Sequence, residues 1–219
     1  MSLNLIMLGP PGAGKGTQAE RFGRSRGIPK ISTGDILREA VHAGTEVGKR
    51  AKAIMDRGEL VSDEVMIGIV GDRLARKDAQ SGFILDGFPR TVAQATALDG
   101  LMNGRDPLIV IDIVVPEAEL VRRLSTRMIC SSCGHNAPID DGQASTICPL
   151  CGGQLVQRTD DSQAIVLERL KVYRLSTKPL VDFYRPRATF RSINGAQDPD
   201  RVAADLAAAI ESAGNGGFK

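Results

Sequence analysis

The chain contains no tryptophan, only two tyrosines and six phenylalanines in 219 residues, so its core must be built from aliphatic side chains. So few rings cannot supply a stacking platform for single-stranded nucleic acid. Charge of one sign is missing too. Twenty-eight Lys and Arg against 26 Asp and Glu leave +2, too balanced for a protein that coats nucleic acid or an anionic membrane. Nor does any apolar run approach the ~20 residues of a membrane-spanning helix. The N-terminal run Leu5–Leu8 stops at Gly9, too short for a signal peptide. A cytoplasmic, monomeric protein without nucleic-acid or membrane partners is expected. What remains, 42% hydrophobic and 25% charged residues, is the make-up of a globular chain with a sizeable core. Its four cysteines, in a reducing compartment, do not read as two disulfides.

At ~150 residues per domain the length fits one domain carrying insertions. Asn4–Leu8, Gly82–Asp86, Leu108–Val115 and Thr189–Ile193 read as buried strands. Helical patterns cover Gly16–Arg26, Ile36–Ala43, Glu46–Arg57, Ser62–Ala75, Thr91–Leu98, Glu117–Ser125, Gln163–Tyr173, Lys178–Tyr184 and Asp200–Ser212. Apolar strands alternating with helices predict an α/β fold: a central parallel sheet with helices on both faces. Residues 126–161 break that rhythm and hold every cysteine, so they read as an inserted unit. The Gly-rich tail Gly214–Lys219 is expected to fray.

Gly9-Pro10-Pro11-Gly12-Ala13-Gly14-Lys15-Gly16-Thr17 lies between a strand and a helix. Its glycines let backbone N–H groups curl around phosphate oxygens, the helix N-terminus adds partial positive charge, and Lys15 reaches the β/γ-phosphates. The hydroxyl that commonly follows the lysine directly stands one residue later, on Thr17, after Gly16.

Three further motifs follow. Ile31–Arg38 sets a hydroxyl at a helix start with Arg38 one turn in, and Leu85-Asp86-Gly87-Phe88-Pro89-Arg90 follows a strand. Asp86 occupies the strand end where P-loop enzymes keep a carboxylate for Mg²⁺ or its waters. Gly87 allows close approach, Arg90 can fork onto a phosphate, and Gln94 lies one turn on with an amide able to donate to and accept from a purine edge. Taken singly, Asp35 would be a helix cap, Arg38 a solvated charge and Gln94 surface; their order behind a phosphate loop says otherwise. Arg123 and Arg127 precede the insertion; Arg158 and Arg169 follow it. Positioned arginines with Mg²⁺ are the physical remedy for two repelling polyanions and for charge spread over a transferring phosphoryl group. Neither histidine, His42 or His135, falls in these motifs. A phosphate acceptor, already nucleophilic at neutral pH, needs no general base, whereas a hydroxyl acceptor would.

Over essentially its whole length the chain resembles the adenylate kinases. Gly9–Thr17, Ser32–Arg38, Leu60–Glu64, Asp86–Arg90 with Gln94, Arg123 with Arg127, Arg158–Asp161 and Ile193–Gly195 carry the resemblance. It implies reversible phosphoryl transfer from Mg·ATP to AMP, giving two ADP. It further implies ATP binding by Gly12, Ala13, Gly14, Lys15, Gly16 and Thr17, by Arg123 and Arg127, and by Gln197 near adenine. The AMP positions it implies are Thr33, Arg38, Val61, Gly87, Arg90, Gln94, Arg158 and Arg169. Catalytic charge would come from Lys15, Asp86, Arg90, Arg123, Arg127, Arg158 and Arg169. The implied division is a P-loop core (1–31, 62–125, 162–219), an AMP-binding helical insertion (32–61) and a lid (126–161). Relatives that prefer pyrimidine monophosphates carry Ala at the position of Thr33. A kinase for another monophosphate, or one using GTP as donor, is the neighbouring reading.

Cys130-Ser-Ser-Cys133-Gly134 and Cys148-Pro-Leu-Cys151-Gly152 form two C-x-x-C-G units, the spacing of a tetrathiolate zinc site. The insertion lacks the apolar residues for a core of its own, so a structural metal can replace one. A closed four-sulfur shell marks that metal as structural. The resemblance agrees, since a subset of bacterial adenylate kinases has a zinc-bearing lid. Those lids carry an aromatic–His pair after the second cysteine, where this chain has His135-Asn136-Ala137-Pro138. The competing idea, a nucleic-acid-binding zinc ribbon on an NTPase, meets a stretch 130–151 with no Lys, Arg or aromatic residue.

Overall fold

The structure is a computed structural model that describes residues 2–137 and 146–216. Five parallel strands form its centre in the order β2-β3-β1-β4-β8: β1 (Leu3–Leu8), β2 (Lys30–Ser32), β3 (Gly82–Asp86), β4 (Leu108–Val114) and β8 (Phe190–Asn194). Because both faces are covered, these strands are near-continuous apolar runs, and alternate residues feed opposite cores. Leu5, Met7, Ile84, Ile109, Ile111 and Ile113 pack against α1 (Lys15–Arg26), α6 (Glu117–Ser125), α7 (Gln163–Val172) and α9 (Pro199–Gly216). Ile6, Leu8, Phe83, Leu85 and Val110 pack the other way. They meet α2 (Thr33–His42), α3 (Glu46–Met55), α4 (Asp63–Leu74), α5 (Val92–Leu101) and α8 (Pro179–Tyr184). The expected three-layer α/β architecture is present, and its cores are mainly aliphatic.

The elements differ from expectation where signals are short. β2 is only three residues, too few to show a period, and was not predicted as a strand. Residue Ser32 ends it and accepts the Asp35 N–H at 3.2 Å, so α2 begins at Thr33 and not at Ile36. At the other terminus α9 runs to Gly216, through the segment expected to fray. Ala213, fully buried, anchors its last turns. Positions 217–219 lie outside the described residues.

Residues of the insertion form a second, three-stranded antiparallel sheet, order β6-β5-β7: β5 (Met128–Cys130), β6 (Asn136–Ala137) and β7 (Leu155–Gln157). Its buried cluster is small: Cys130, Ala137, Cys148 and Leu155, with Met128 against it. After α7 the chain makes a wide π-helical turn, Tyr173–Thr177, before α8. Both edges of the main sheet carry charge. Lys30 on β2 pairs with Glu20 and Asp35 at 3.6 Å each. On β8 the Arg191 guanidinium donates to the carbonyls of Ala188 and Phe190 (2.8 Å each) and of Ser212 (2.9 Å).

Candidate functional site

Parallel strands all point their C-terminal ends the same way, and ligand sites of such sheets lie beyond those ends. Here β1 runs into the Gly9–Thr17 loop, β2 into Thr33, and β3 into Asp86 and Gly87. Together with α2, the 58–61 segment and the start of the π turn, they line an open cleft of about 140 Å³. Lys15, Thr33, Arg38, Val61, Gly87, Arg90, Gln94 and Arg169, all singled out from the sequence, line it.

The Lys15 ammonium folds back into its loop and donates to the carbonyls of Gly9 (2.7 Å) and Pro10 (2.8 Å). Burial lowers its pKa to about 8. Asp86 opposes that shift, and Arg90, Arg169 and Arg127 add to it. Gly16 faces Asp86: a Cβ there would sit 3.2 Å from a carboxylate oxygen, so a side chain between Lys15 and Thr17 would press on the Asp86 carboxylate. The hard oxygen donors of Asp86 at this strand end, beside the phosphate loop, have the chemistry a Mg²⁺ ion or its waters require.

Around Gly87 the contacts are close. Its φ of +79° favours glycine, and a Cβ would meet Thr33 Oγ1 at 3.0 Å and Arg90 Nη2 at 3.1 Å. Its carbonyl accepts from the Thr33 hydroxyl and from Arg90 Nε, both at 2.8 Å. Thr177, in the π turn, donates to the Arg90 carbonyl at 2.9 Å. Arg38 pairs with Asp35 on α2. Gln94 is buried and already engaged at both ends of its amide. Oε1 accepts from the Arg90 N–H at 2.8 Å, and Nε2 donates to Asp63 at 2.7 Å.

Beyond Arg90 the arginines converge. Arg127 forks onto Asp161 (2.7 and 2.6 Å), whose side chain is wholly buried. Arg169 reaches both Asp161 (2.9 Å) and Asp160 (3.2 Å), and Arg158 reaches Asp160 (3.2 Å). Burial lowers Arg90 and Arg158 to about 10, helped at Arg90 by Arg169 and at Arg158 by Arg127 and Arg38. Arg169 is lowered for the same reasons, burial first. Asp160 and Asp161 were visible in the sequence only as part of a motif; an acidic pair beginning two residues after Arg158, in a region rich in arginine, was the available signal. Two predicted residues stand apart. Arg123 pairs with Glu119 on its own helix at 2.7 Å, and Gln197 donates to Asn194 and Asp205 at 2.9 Å. Gly195, two residues before Gln197, abuts Ile113, Val115 and the Ala13 carbonyl, where a Cβ would fall within 2.4–3.3 Å. The end of β8 is thereby seated on the phosphate loop.

In the small sheet, the sulfurs of Cys130, Cys133, Cys148 and Cys151 all lie within 4.8 Å of one another. The nearest pairs, Cys130–Cys151 at 3.4 Å and Cys133–Cys148 at 3.7 Å, are far longer than a disulfide bond. Each C-x-x-C-G unit closes the same turn. The Gly134 N–H donates to the Cys130 carbonyl (3.0 Å), and the Gly152 N–H donates to that of Cys148 (2.9 Å). The backbone N–H groups of Cys133 and Ser132 aim at the Cys130 sulfur, 3.4 Å away, and draw that thiol down to about 6. At Cys151 the Gly153 N–H also works to lower the thiol, but crowding by Cys133 and Cys130 prevails and takes it to about 12. Four sulfurs this close, with backbone donors already turned toward Cys130 and Cys151, fit a tetrahedral thiophilic metal. His135 is outside the cluster, and Pro138, which ends the atypical stretch, lies outside the described residues.

A glycine-rich loop and its lysine at the mouth of a parallel sheet, facing a group of arginines, define a P-loop phosphate-binding protein. A sequence model of the family described as adenylate kinase matches residues 7–189. The adenylate kinase of Archaeoglobus fulgidus is 50% identical over 217 residues, 95% of this chain and 98% of its own. That of Thermodesulfovibrio yellowstonii is 47% identical over 213 residues (95% and 99%), and that of Rhizobium etli 46% over 217 (95% and 99%). The chain belongs to the adenylate kinase family.

Proposed function

We propose that the cleft binds ATP and AMP side by side and transfers the terminal phosphoryl group between them reversibly, giving two ADP. The chain is an enzyme with adenylate kinase activity, which its family membership carries. The assignment of residues is ours. The observation that supports it is the crowd of buried guanidiniums at Arg90, Arg158 and Arg169. Burial lowers the pKa of each, Arg169 adds to the shift at Arg90 and at Arg158, and Arg90 and Arg169 line the same cleft as Lys15. Such a crowd awaits an anion.

On this reading Gly12 to Thr17 cradle the ATP phosphates. Lys15 leaves the carbonyls of Gly9 and Pro10 for a phosphate, which returns its pKa toward the ordinary range. Arg38 and Arg90 hold the AMP phosphate, with Thr33, Val61, Gly87 and Gln94 around its nucleoside. Arg127, Arg158 and Arg169 gather on the oxygens that carry charge in the transfer. Arg123 and Gln197 serve the ATP side, Arg123 by leaving Glu119. The acceptor phosphate is itself the nucleophile, and no histidine lines the cleft among the described residues. Mg²⁺, taken near Asp86 and Thr17 with ATP, would add charge neutralisation at the β- and γ-oxygens. Residues 32–61 and 126–161 act as two flaps on the core 1–31, 62–125 and 162–219, and their closure excludes water that would otherwise hydrolyse ATP.

The four cysteines hold a structural zinc, which would substitute for the missing apolar core of the small sheet. No helix among the described residues is long and apolar enough to cross a membrane. We assign the enzyme to the cytoplasm as a monomer. A coupled assay crossing ATP and GTP against AMP, CMP, UMP and GMP tests the reading, with metal analysis on the same sample. Preference for ATP and AMP, with about one zinc per chain, is expected. Preference for another monophosphate or for GTP would move the enzyme to a neighbouring specificity.

A further inference from the structure

A side-chain amide is nearly symmetrical in shape and opposite in chemistry at its two ends, so whatever fixes its orientation fixes what it can read. Gln94 is 1% exposed and lines the cleft, and its two internal partners are each one-way. The Arg90 backbone N–H can only donate and takes one lone pair of Oε1 at 2.8 Å. The Asp63 carboxylate, as an ion, can only accept and takes one N–H of Nε2 at 2.7 Å. One lone pair and one N–H remain, in a fixed order. Asp63 is itself held: the Thr91 hydroxyl donates to its other oxygen at 2.9 Å while accepting the Gln94 backbone N–H at 3.2 Å. Asp63 does not line the cleft.

We propose that Asp63 determines the purine specificity of the acceptor site by locking the orientation of the Gln94 amide, acting through Gln94 without touching the nucleotide. This inference rests on the placement of the AMP base beside Gln94. Adenine offers an amino donor at C6 and an acceptor at N1, which the free oxygen and free N–H of the locked amide match in turn. Hypoxanthine and guanine offer a carbonyl at C6 and a donor at N1, the reverse order. With the nucleotide's phosphate anchored by arginine, those bases cannot turn over to compensate, so donor faces donor and acceptor faces acceptor. Residue Thr91 contributes by holding the carboxylate in place.

The test is steady-state kinetics with ATP as donor and AMP or IMP as acceptor. Asp63→Ala removes the acceptor that locks the amide. It is expected to raise KM for AMP about tenfold and to lower the AMP-over-IMP ratio of kcat/KM about tenfold, with KM for ATP within about twofold. Asp63→Asn is the discriminating variant. Its Oδ1 can accept from Gln94 as the carboxylate does, so it restores most of the ratio, whereas any stabilisation of the α4 N-terminus by the negative charge stays lost in both variants. Should Asp63→Ala not fold, Asp63→Ser, which leaves the Ser62 cap of α4 untouched and is too short to reach Gln94, carries the same measurement. An unchanged AMP-over-IMP ratio in a folded Asp63→Ala or Asp63→Ser protein overturns the proposal, as does an equal ratio loss in Asp63→Asn. Gln94→Ala separates the two levels. If it raises KM for AMP while the Asp63 variants leave the ratio alone, only the role of Asp63 fails. If it leaves KM for AMP unchanged, the base placement fails and takes this inference with it.

Discussion

The cleft crowds guanidiniums together, and the small sheet crowds four sulfurs together. In the cleft, Arg127, Arg158 and Arg169 gather around Asp160 and Asp161, with Arg38 and Arg90 near enough to depress or be depressed by their neighbours. In the small sheet four thiols meet within 4.8 Å. What differs is the partial remedy each carries. The arginines have Asp160 and Asp161 as partners in the ligand-free structure, which on the proposed reading would hold them when no nucleotide is bound. The sulfurs have backbone N–H groups as donors, so on the proposed reading their counter-charge would come from a metal held by all four. A site that releases its ligand every cycle needs internal stand-ins; a site that never releases it does not.

Variants that empty each crowd of its counter-charge sharpen that contrast. The largest effect is expected from Lys15→Ala, which takes away the cation that the proposed function puts on the ATP phosphates. kcat/KM should fall on the order of 10³-fold with the thermal midpoint nearly unchanged, and a fall below tenfold in the coupled assay would remove Lys15 from the chemistry. Asp161→Ala deprives Arg127 and Arg169 of a fully buried partner and should cost about 3–5 kcal/mol in denaturant unfolding. Saturating ATP with AMP should restore part of that loss by supplying anions, while the same nucleotides do nothing for a cysteine variant. Cys130→Ser should lower Tm by roughly 6–12 °C, the shift of about 3 kcal/mol in a chain of this size, and leave kcat within about threefold; metal analysis should find the zinc gone. Equal damage to Tm and kcat would join the two regions that the comparison separates.

The smallest effect is a pH dependence. Burial places the Lys15 pKa at about 8 in the free enzyme. The ammonium is therefore intact below pH 8, and kcat/KM for ATP should decline about tenfold per unit above it. kcat, measured with phosphate already bound, should hold to higher pH. The same lowered pKa means that burying the charged lysine costs stability below pH 8, a cost relieved as pH rises toward the ordinary value of 10.5. A kcat/KM profile flat to pH 10 would show that Lys15 is not shielded as its surroundings imply.

The sequence made the sheet legible because its strands are continuous apolar runs between glycines: Gly82–Asp86 was placed to the residue, and so was the helix Glu117–Ser125. β2 was not, because Lys-Ile-Ser has no room for a period and is a strand only by lying against β3. In the site, the positions of Lys15, Gly87, Arg90 and the cysteines were readable from spacing, since turns and knuckles are local. Partnerships across the fold were not. Nothing near Gln94 in the chain announces that Asp63, 31 residues earlier, holds its amide, or that Arg127 meets Asp161 across 34 residues of insertion. Arg123 and Gln197 were placed by resemblance, and both engage acidic side chains of their own neighbourhood.

The two edges of the main sheet bear on how the protein behaves in a crowded solution. Exposed edge strands can template pairing with other chains and so seed aggregation. β2 offers only three residues, one of them a lysine tied to two acids. β8 is longer, but its Arg191 ties the strand to the carbonyls of Ala188 and Ser212 and sets a charge on that border. Colloidal stability here resides in a short strand and one well-anchored arginine, so Arg191→Val would be felt first as insolubility, at protein concentrations where folding and activity are still intact.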